Sequence, residues 1–365
     1  MKAQVTEERI VSVSPQIHSK ASTARIMWSV SLCLLPASAW GVYVFGIRAL
    51  LVLAVSIASS VVTEYFAARL LGKTTLNDGS AFLTGLLIGM NLPSAVPLYI
   101  PIVASFFAMA VVKWSFGGLG ANWMNPALAG RVFVFFSWTG HMTNWTAPRT
   151  LPAADALSSA TVLSSIKSGL FGYTGSAEGP VQFLAEQGYP TSALDGRVAS
   201  FLSRLGIENG GGYGDLFFGN IPGCIGEVSA LLLLLGAIYL FTSKIVTWHI
   251  PVAYIGSFSL LVWFLGGLPF DAGLFAGNVV FNLFSGGLLL GAFFMATDMV
   301  TSPLTAKGMI IYGVGAGFLT YLIRFFGSFP EGVSLAILLM NIFVPLIDRY
   351  TGPMRFGMKK KGADE

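Results

Sequence analysis

The feature that most limits the fold is the recurrence of apolar runs about twenty residues long, beginning with "IMWSVSLCLLPASAWGVYVF" at Ile26. A helix needs roughly 20 apolar residues to cross the hydrocarbon core of a bilayer. Inside lipid every backbone polar group must be satisfied internally, which leaves only helices and closed barrels. These runs are too long for barrel strands and lack sustained alternation. Of the 365 residues 54% are hydrophobic and 10% charged, against about a quarter charged in soluble domains. The mean hydropathy is +0.73. The expected fold class is therefore an all-α polytopic membrane protein. "ASA" at Ala37 to Ala39 resembles a signal-peptidase site, but Glu7 and Glu8 precede the apolar run and apolar sequence continues beyond it. A retained first span is the better reading.

Ten transmembrane helices are expected, near 26–45, 50–68, 79–93, 97–113, 123–138, 222–242, 247–266, 277–297, 307–326 and 332–348. They divide the chain into an N-terminal tail (1–25), a first membrane half (26–138), a polar loop (139–221), a second membrane half (222–348) and a basic tail (349–365). An even count puts both termini on one side. With both termini inside, that face collects Lys2, Arg9, Lys20, Arg25, Arg69, Lys73, Lys113, Lys244, Lys307 and the "MKKK" tail. Arg48 and Arg324 alone fall in short outer connections. This excess makes the termini cytoplasmic and the 139–221 loop extracytoplasmic. The net charge of +4 is thus explained by orientation in the bilayer and does not argue for nucleic acid.

A weak internal echo links "TGLLIGMNLPSAVP" from Thr84 to "GGLLLGAFFMATDMVTSP" from Gly286. Each precedes an apolar span that ends at a single base, Lys113 or Arg324, and a glycine turn. Five spans per half is odd, so the halves would be inverted repeats, as in many transporters. Polar residues and prolines inside both segments predict helices broken near a central axis.

Candidate chemistry is sparse. Cys33 and Cys224 lie in apolar surroundings and His18, His141 and His249 are scattered, which supplies no ligand set for zinc, an iron–sulfur cluster or paired-histidine haem. Among intramembrane acids, Glu64 pairs with Arg69 one turn on, and Asp78 caps the helix that follows it. Glu227 either caps the sixth span or faces a cofactor. Asp298 has two readings: with Thr301, Thr297 and Pro303 near it, a hard-cation site on a Na⁺ or H⁺ path, or a helix end facing water. Phe281, Phe284, Phe293 and Phe294 are packing or lipid-facing residues before they are a route for a cofactor or an ion. In the polar loop, "DALSSATVL" (Asp155 to Leu163) clusters hydroxyls. Ser158 or Ser159 is expected to cap a short helix through "ATVLSSIKSGLFG", and helix N-termini bind phosphate groups.

The run Asp155-Ala156-Leu157-Ser158-Ser159-Ala160-Thr161 resembles the D-x-x-[ST]-[GS]-A-T motif of the D subunit of Rnf ferredoxin:NAD oxidoreductases and the B subunit of sodium-translocating NADH:quinone reductases. "LNDGSAFLTGLLIGMNLP", "NPALAGR", "GNIPGCIGEVS" and "MATDMVTSP" resemble segments of the same family, in the same order. Length and the short N-terminal tail favour the Rnf subunit. Ser159 stands where glycine is common, Cys224 where serine is frequent, and Val228 where threonine or a similar residue is frequent. The resemblance implies that Thr161 carries FMN through a phosphoester, with Asp155, Ser158, Ser159 and Ala160 forming the attachment motif and no catalytic nucleophile in this chain. It leaves a second, non-covalent flavin such as riboflavin open. It further implies a complex that couples electron flow between ferredoxin and NAD to Na⁺ or H⁺ transport. Its partners would be membrane and peripheral subunits, among them iron–sulfur and second-flavin subunits, with a flavin transferase for maturation. The five-plus-five layout also resembles the urea-transporter fold, and a channel or facilitated transporter without a redox cofactor is the second expectation.

Overall fold

The computed structural model describes residues 22–72, 75–149, 161–167, 192, 195–197, 200, 213–270, 273–327 and 331–352. Among them the regular structure is helical. Five helices are long and apolar enough to cross a membrane: α1 (Thr23–Phe45), α2 (Ile47–Leu70), α9 (His249–Leu265), α12 (Ala306–Phe326) and α13 (Val333–Thr351). Shorter apolar helices lie between them: α3 (Ser80–Met90), α4 (Tyr99–Trp114), α5 (Pro126–Ser137) and α8 (Ala230–Thr242). The polar connection contributes α6 (Val162–Lys167) and α7 (Tyr213–Phe218). The expected eighth span divides into α10 (Val279–Phe284) and α11, which is Leu288–Leu290 continued by the wider turns of Gly291–Met295. Leu32, Ile47, Phe66, Phe106, Leu260 and Phe343 are exposed on the outside of the bundle, as hydrocarbon solvent allows.

Several expected spans are shorter than the apolar runs that suggested them. The run expected at 222–242 becomes helical only at Ala230, where Ser229 Oγ accepts from Leu232 N at 3.4 Å; the preceding Gly219–Ser229 stretch is buried but not helical. The run at 277–297 is interrupted after Phe284 because Gly286 takes a left-handed conformation (φ +70), which glycine alone adopts without strain. α5 starts late because Asn125 caps it, its Oδ1 accepting from Ala127 N at 3.0 Å, with Pro126 as first helical residue.

Two helix pairs run side by side in the same direction. In α2 and α4, Ser56 meets Ser105 at 3.3 Å and Glu64 meets Lys113 at 2.9 Å. In α9 and α12, Tyr254 meets Thr320 at 2.6 Å, and the Arg324 guanidinium lies 5.1 Å over the Phe258 ring. Small residues bring the axes close: a Cβ on Gly85 would stand 2.6 Å from Ile57 Cα, and one on Gly317 would stand 2.6 Å from Tyr254 O. α1 packs on α8, and α5 on α13.

Candidate functional site

The centre of the bundle is built from chain that is not helical. α3 ends at Met90 and α11 at Met295, each followed by an irregular segment. The segment after Met90 is paired main chain to main chain with the one leading into α8: Ile225 N donates to Leu92 O at 3.1 Å and Gly226 N to Met90 O at 2.8 Å. The approach requires glycine, since a Cβ at Gly226 would meet Met90 at 2.4 Å. Asn125 Nδ2 reaches Met295 O at 3.2 Å, and Arg131 Nε reaches Asn91 O at 3.1 Å. Backbone groups freed by the breaks thus find protein partners. The four segments "GMNLP", "NPALAGR", "GCIGEVS" and "MATDMVTSP" meet here, as the broken-helix reading of two of them anticipates.

Arg131 is the hub. Its Nη2 donates to Glu331 Oε2 at 2.6 Å and stands 3.6 Å from Glu227 Oε1 and 3.7 Å from Cys224 Sγ, while Nη1 donates to Ser334 Oγ. Cys224, Glu227 and Glu331 offer polar atoms within 4.8 Å of one another. Neither carboxylate oxygen of Glu227 accepts a hydrogen bond. Glu227 therefore does not cap α8, a role Ser229 fills. Sequence reasoning misses this Arg131–Glu227–Glu331 grouping; the signal that could have found it is a lone arginine inside an apolar helix, five residues after Pro126.

Thr161 borders this cluster. It is buried, 6% exposed, and begins α6: its Oγ1 accepts from Ser164 N at 3.1 Å and donates to Ser164 Oγ at 2.9 Å. The cap expected at Ser158 or Ser159 thus falls on Thr161. Asp155, Ser158, Ser159 and Ala160 lie outside the described residues. A small cavity of about 10 Å³ beside Thr161 is lined by Ile221, Gly223, Glu227, Ser285, Gly286 and Glu331. A second, of about 190 Å³, opens on the other side of Leu163 between Ile166, Lys167, Asn278, Phe281 and Phe325. Lys167 Nζ donates to Arg324 O at 2.6 Å, at the end of α12, and burial, with the Arg324 charge second, lowers its pKa to about 8.

At the opposite end of the bundle, Glu64 pairs with Lys113 rather than the expected Arg69, which bonds Tyr65 Oη instead at 3.1 Å. Helical spacing favours the i, i+5 neighbour poorly, whereas the parallel α4 brings Lys113 to 2.9 Å. Trp114 Nε1 and Thr75 Oγ1 also donate to Glu64, at 2.7 and 2.6 Å. Asp78 accepts from Ser80 N at 2.8 Å at the start of α3, close to its expected capping role. Asp298 Oδ2 accepts from Thr301 Oγ1 at 2.9 Å, so these two are brought together. Asp298 lines a cavity of about 90 Å³ with Lys113, Ser80, Asn125, Thr297 and Phe294. Of the four phenylalanines, Phe281, Phe293 and Phe294 are buried, and Phe284 packs edge-on to Phe217 at 5.5 Å.

Comparison with known proteins places this geometry in a family. Over 355 residues, 96% of both chains, the sequence is 44% identical to the D subunit of the proton-translocating ferredoxin:NAD(+) oxidoreductase complex of Clostridium ljungdahlii. It is 42% identical over 353 residues, again 96% of both, to the D subunit of the Na(+)-translocating ferredoxin:NAD(+) oxidoreductase complex of Acetobacterium woodii. A third relative, 38% identical over 94% of both chains, is the D subunit of the ion-translocating oxidoreductase complex of Stutzerimonas stutzeri. The NQR2, RnfD, RnfE family matches residues 10–357, and the chain belongs to that family.

Proposed function

We propose that this protein is the D-type membrane subunit of an ion-translocating ferredoxin:NAD⁺ oxidoreductase complex and relays electrons through FMN held covalently at Thr161. The observation that carries the first part is the 44% and 42% identity, over 96% of the chain, to subunits so named. The second part is supported by the D-x-x-[ST]-x-A-T run ending at Thr161 and by where that residue sits. Its hydroxyl lies at a helix start, where phosphate groups are favoured, beside a cavity too small for a flavin ring; a larger, partly aromatic one opens beyond Leu163, which lines both. On this reading a flavin is attached by its phosphate with Thr161 as anchor at the start of α6. Bound there, FMN would supply one-electron carrier chemistry at a fixed position.

The same reading gives the chain ten membrane segments in two inverted halves. The parallel pairs α2/α4 and α9/α12 support it: each second helix carries its base near its end, Lys113 against Glu64 and Arg324 against Phe258, at opposite ends of the bundle. In this arrangement both termini are cytoplasmic and Thr161 faces outward, and the partners are the other subunits of the complex together with a flavin transferase. Asp298, bonded to Thr301, and the cavity that Asp298 borders form an entrance for Na⁺ or H⁺ on the inner side. The relatives' names divide between the two ions at nearly equal identity, so they do not choose between them. A cofactor-free channel would use the same inverted layout.

The experiment is flavin fluorescence of the denatured chain on a gel, from complex produced with its transferase. The expected result is a fluorescent wild-type band that Thr161→Ala abolishes without loss of protein. A dark wild type removes the flavin reading and leaves solute flux as the assay for the channel.

A further inference from the structure

Two glutamates share one arginine in the middle of this membrane protein, and they do not share it equally. Arg131 makes its 2.6 Å hydrogen bond to Glu331 and stands 3.6 Å from Glu227. The Glu227 side chain is 3% exposed, and among the described residues neither of its oxygens has a hydrogen-bond partner. The backbone of Gly287 closes over it, so that a Cβ there would fall 2.3 Å from Oε1. Among the described residues, the other charged or ionisable groups facing this point are Cys224 on the same segment and Arg324 on α12. Arg324 spends its Nη1 and Nη2 donors on Asn282 O and Ser285 O. A buried carboxylate without hydrogen bonds costs several kcal/mol, whereas a carboxylic acid at the same place loses little. Glu331 differs: its side chain is 11% exposed, and it borders both the cavity at Thr161 and a further one of about 30 Å³ toward Trp145 and Thr143.

We propose that Glu227 carries an exchangeable proton, that Glu331 connects it to the face of the molecule bearing Thr161, and that Arg131 holds the two carboxyl groups in register. Arg131 already occupies the point where Cys224, Glu227 and Glu331 converge and supplies the positive charge there. Glu227 lines the same small cavity as Thr161, so negative charge added beside Thr161 strengthens its hold on the proton and removal of that charge weakens it. This coupling rests on the flavin reading above. An electron delivered to the Thr161-bound group by a reduced carrier of the complex would find Glu227 already protonated and tighten its hold on that proton; when the electron passes to the next carrier, the hold relaxes and the proton exchanges with water through Glu331.

The test is infrared spectroscopy of the purified complex. In the static measurement, wild type shows a protonated-carboxyl C=O band at neutral pH that Glu227→Gln removes and Glu227→Asp retains at a shifted position. Indistinguishable wild-type and Glu227→Gln spectra overturn the proton assignment; if Glu227→Gln fails to assemble, an unshifted band in Glu227→Asp does so. Glu331→Gln is expected to slow hydrogen–deuterium exchange of the band by about tenfold, and an unchanged rate overturns its connecting role. In the reduced-minus-oxidised spectrum the band responds in wild type and is silent in Glu227→Gln, while both retain flavin fluorescence on a gel. Flavin present without a band response overturns the coupling alone. A wild type without flavin overturns the function proposed above, and the static measurement still decides the proton.

Discussion

Lys113 and Glu64 are, with side-chain exposures of 2% and 0%, a charge pair withdrawn from water. Removing one partner of such a pair leaves a buried unpaired charge and costs about 3–5 kcal/mol, whereas removing both together is often nearly neutral. Lys113→Met is therefore expected to lower the thermal stability of the detergent-solubilised complex sharply, and Lys113→Met with Glu64→Gln to recover much of the loss. Equal loss in single and double variants would show that Thr75, Ser80 and Trp114 hold the site without the ion pair. Lys167 gives a pH signature. Below about pH 8 it is charged in folded and unfolded chains alike. Between there and the ordinary lysine pKa of about 10.4 only the unfolded chain keeps the proton, so stability rises with pH across that window. Amine acylation of Lys167 in the intact complex is expected to reach half its limiting rate near pH 8, well below other lysines; a midpoint near ordinary lysine would show that burial at Arg324 does not weigh on it.

Helix contacts in this bundle are made backbone to backbone. A Cβ on Gly85 would press α3 against Ile57 Cα at 2.6 Å and Ser56 O at 2.9 Å, whereas nothing lies within 4 Å of one on Gly256 in α9. Gly85→Ala is expected to cost about 1–3 kcal/mol. Gly256→Ala should be neutral or stabilising by up to about 1 kcal/mol through helix propensity. Thermal unfolding of the two variants checks the contrast, and equal effects would mean that α3 can shift off α2. At this scale much was legible in the sequence. Apolar run length announced the five helices long enough to cross a membrane, and Asn91, Pro93, Asp298 and Pro303 marked where helices break. What stayed hidden was tertiary pairing: the stretch 219–229, interrupted by Asn220, Pro222 and three glycines, is buried with Ile225 and Gly226 bonded to Leu92 and Met90. For the same reason Glu64 seemed to belong to Arg69, because the alternative, Lys113, is 49 residues away.

For the molecule as a whole, the segments that carry its family resemblance are remote in sequence and adjacent in space. The motif singles out Thr161, and the structure sets it beside Glu227 and Glu331, whose association no local pattern announces. The residues that meet at the centre come from both halves of the chain, and they meet through main-chain hydrogen bonds, Ile225 to Leu92 and Gly226 to Met90. Parting the halves at that seam would strand two donors and two acceptors where water cannot replace them, at several kcal/mol each. A carrier that rocks one half against the other is poorly served by such a weld. The electron relay and ion path proposed above are better suited to a still frame, in which protons, ions and side chains move and the helices do not.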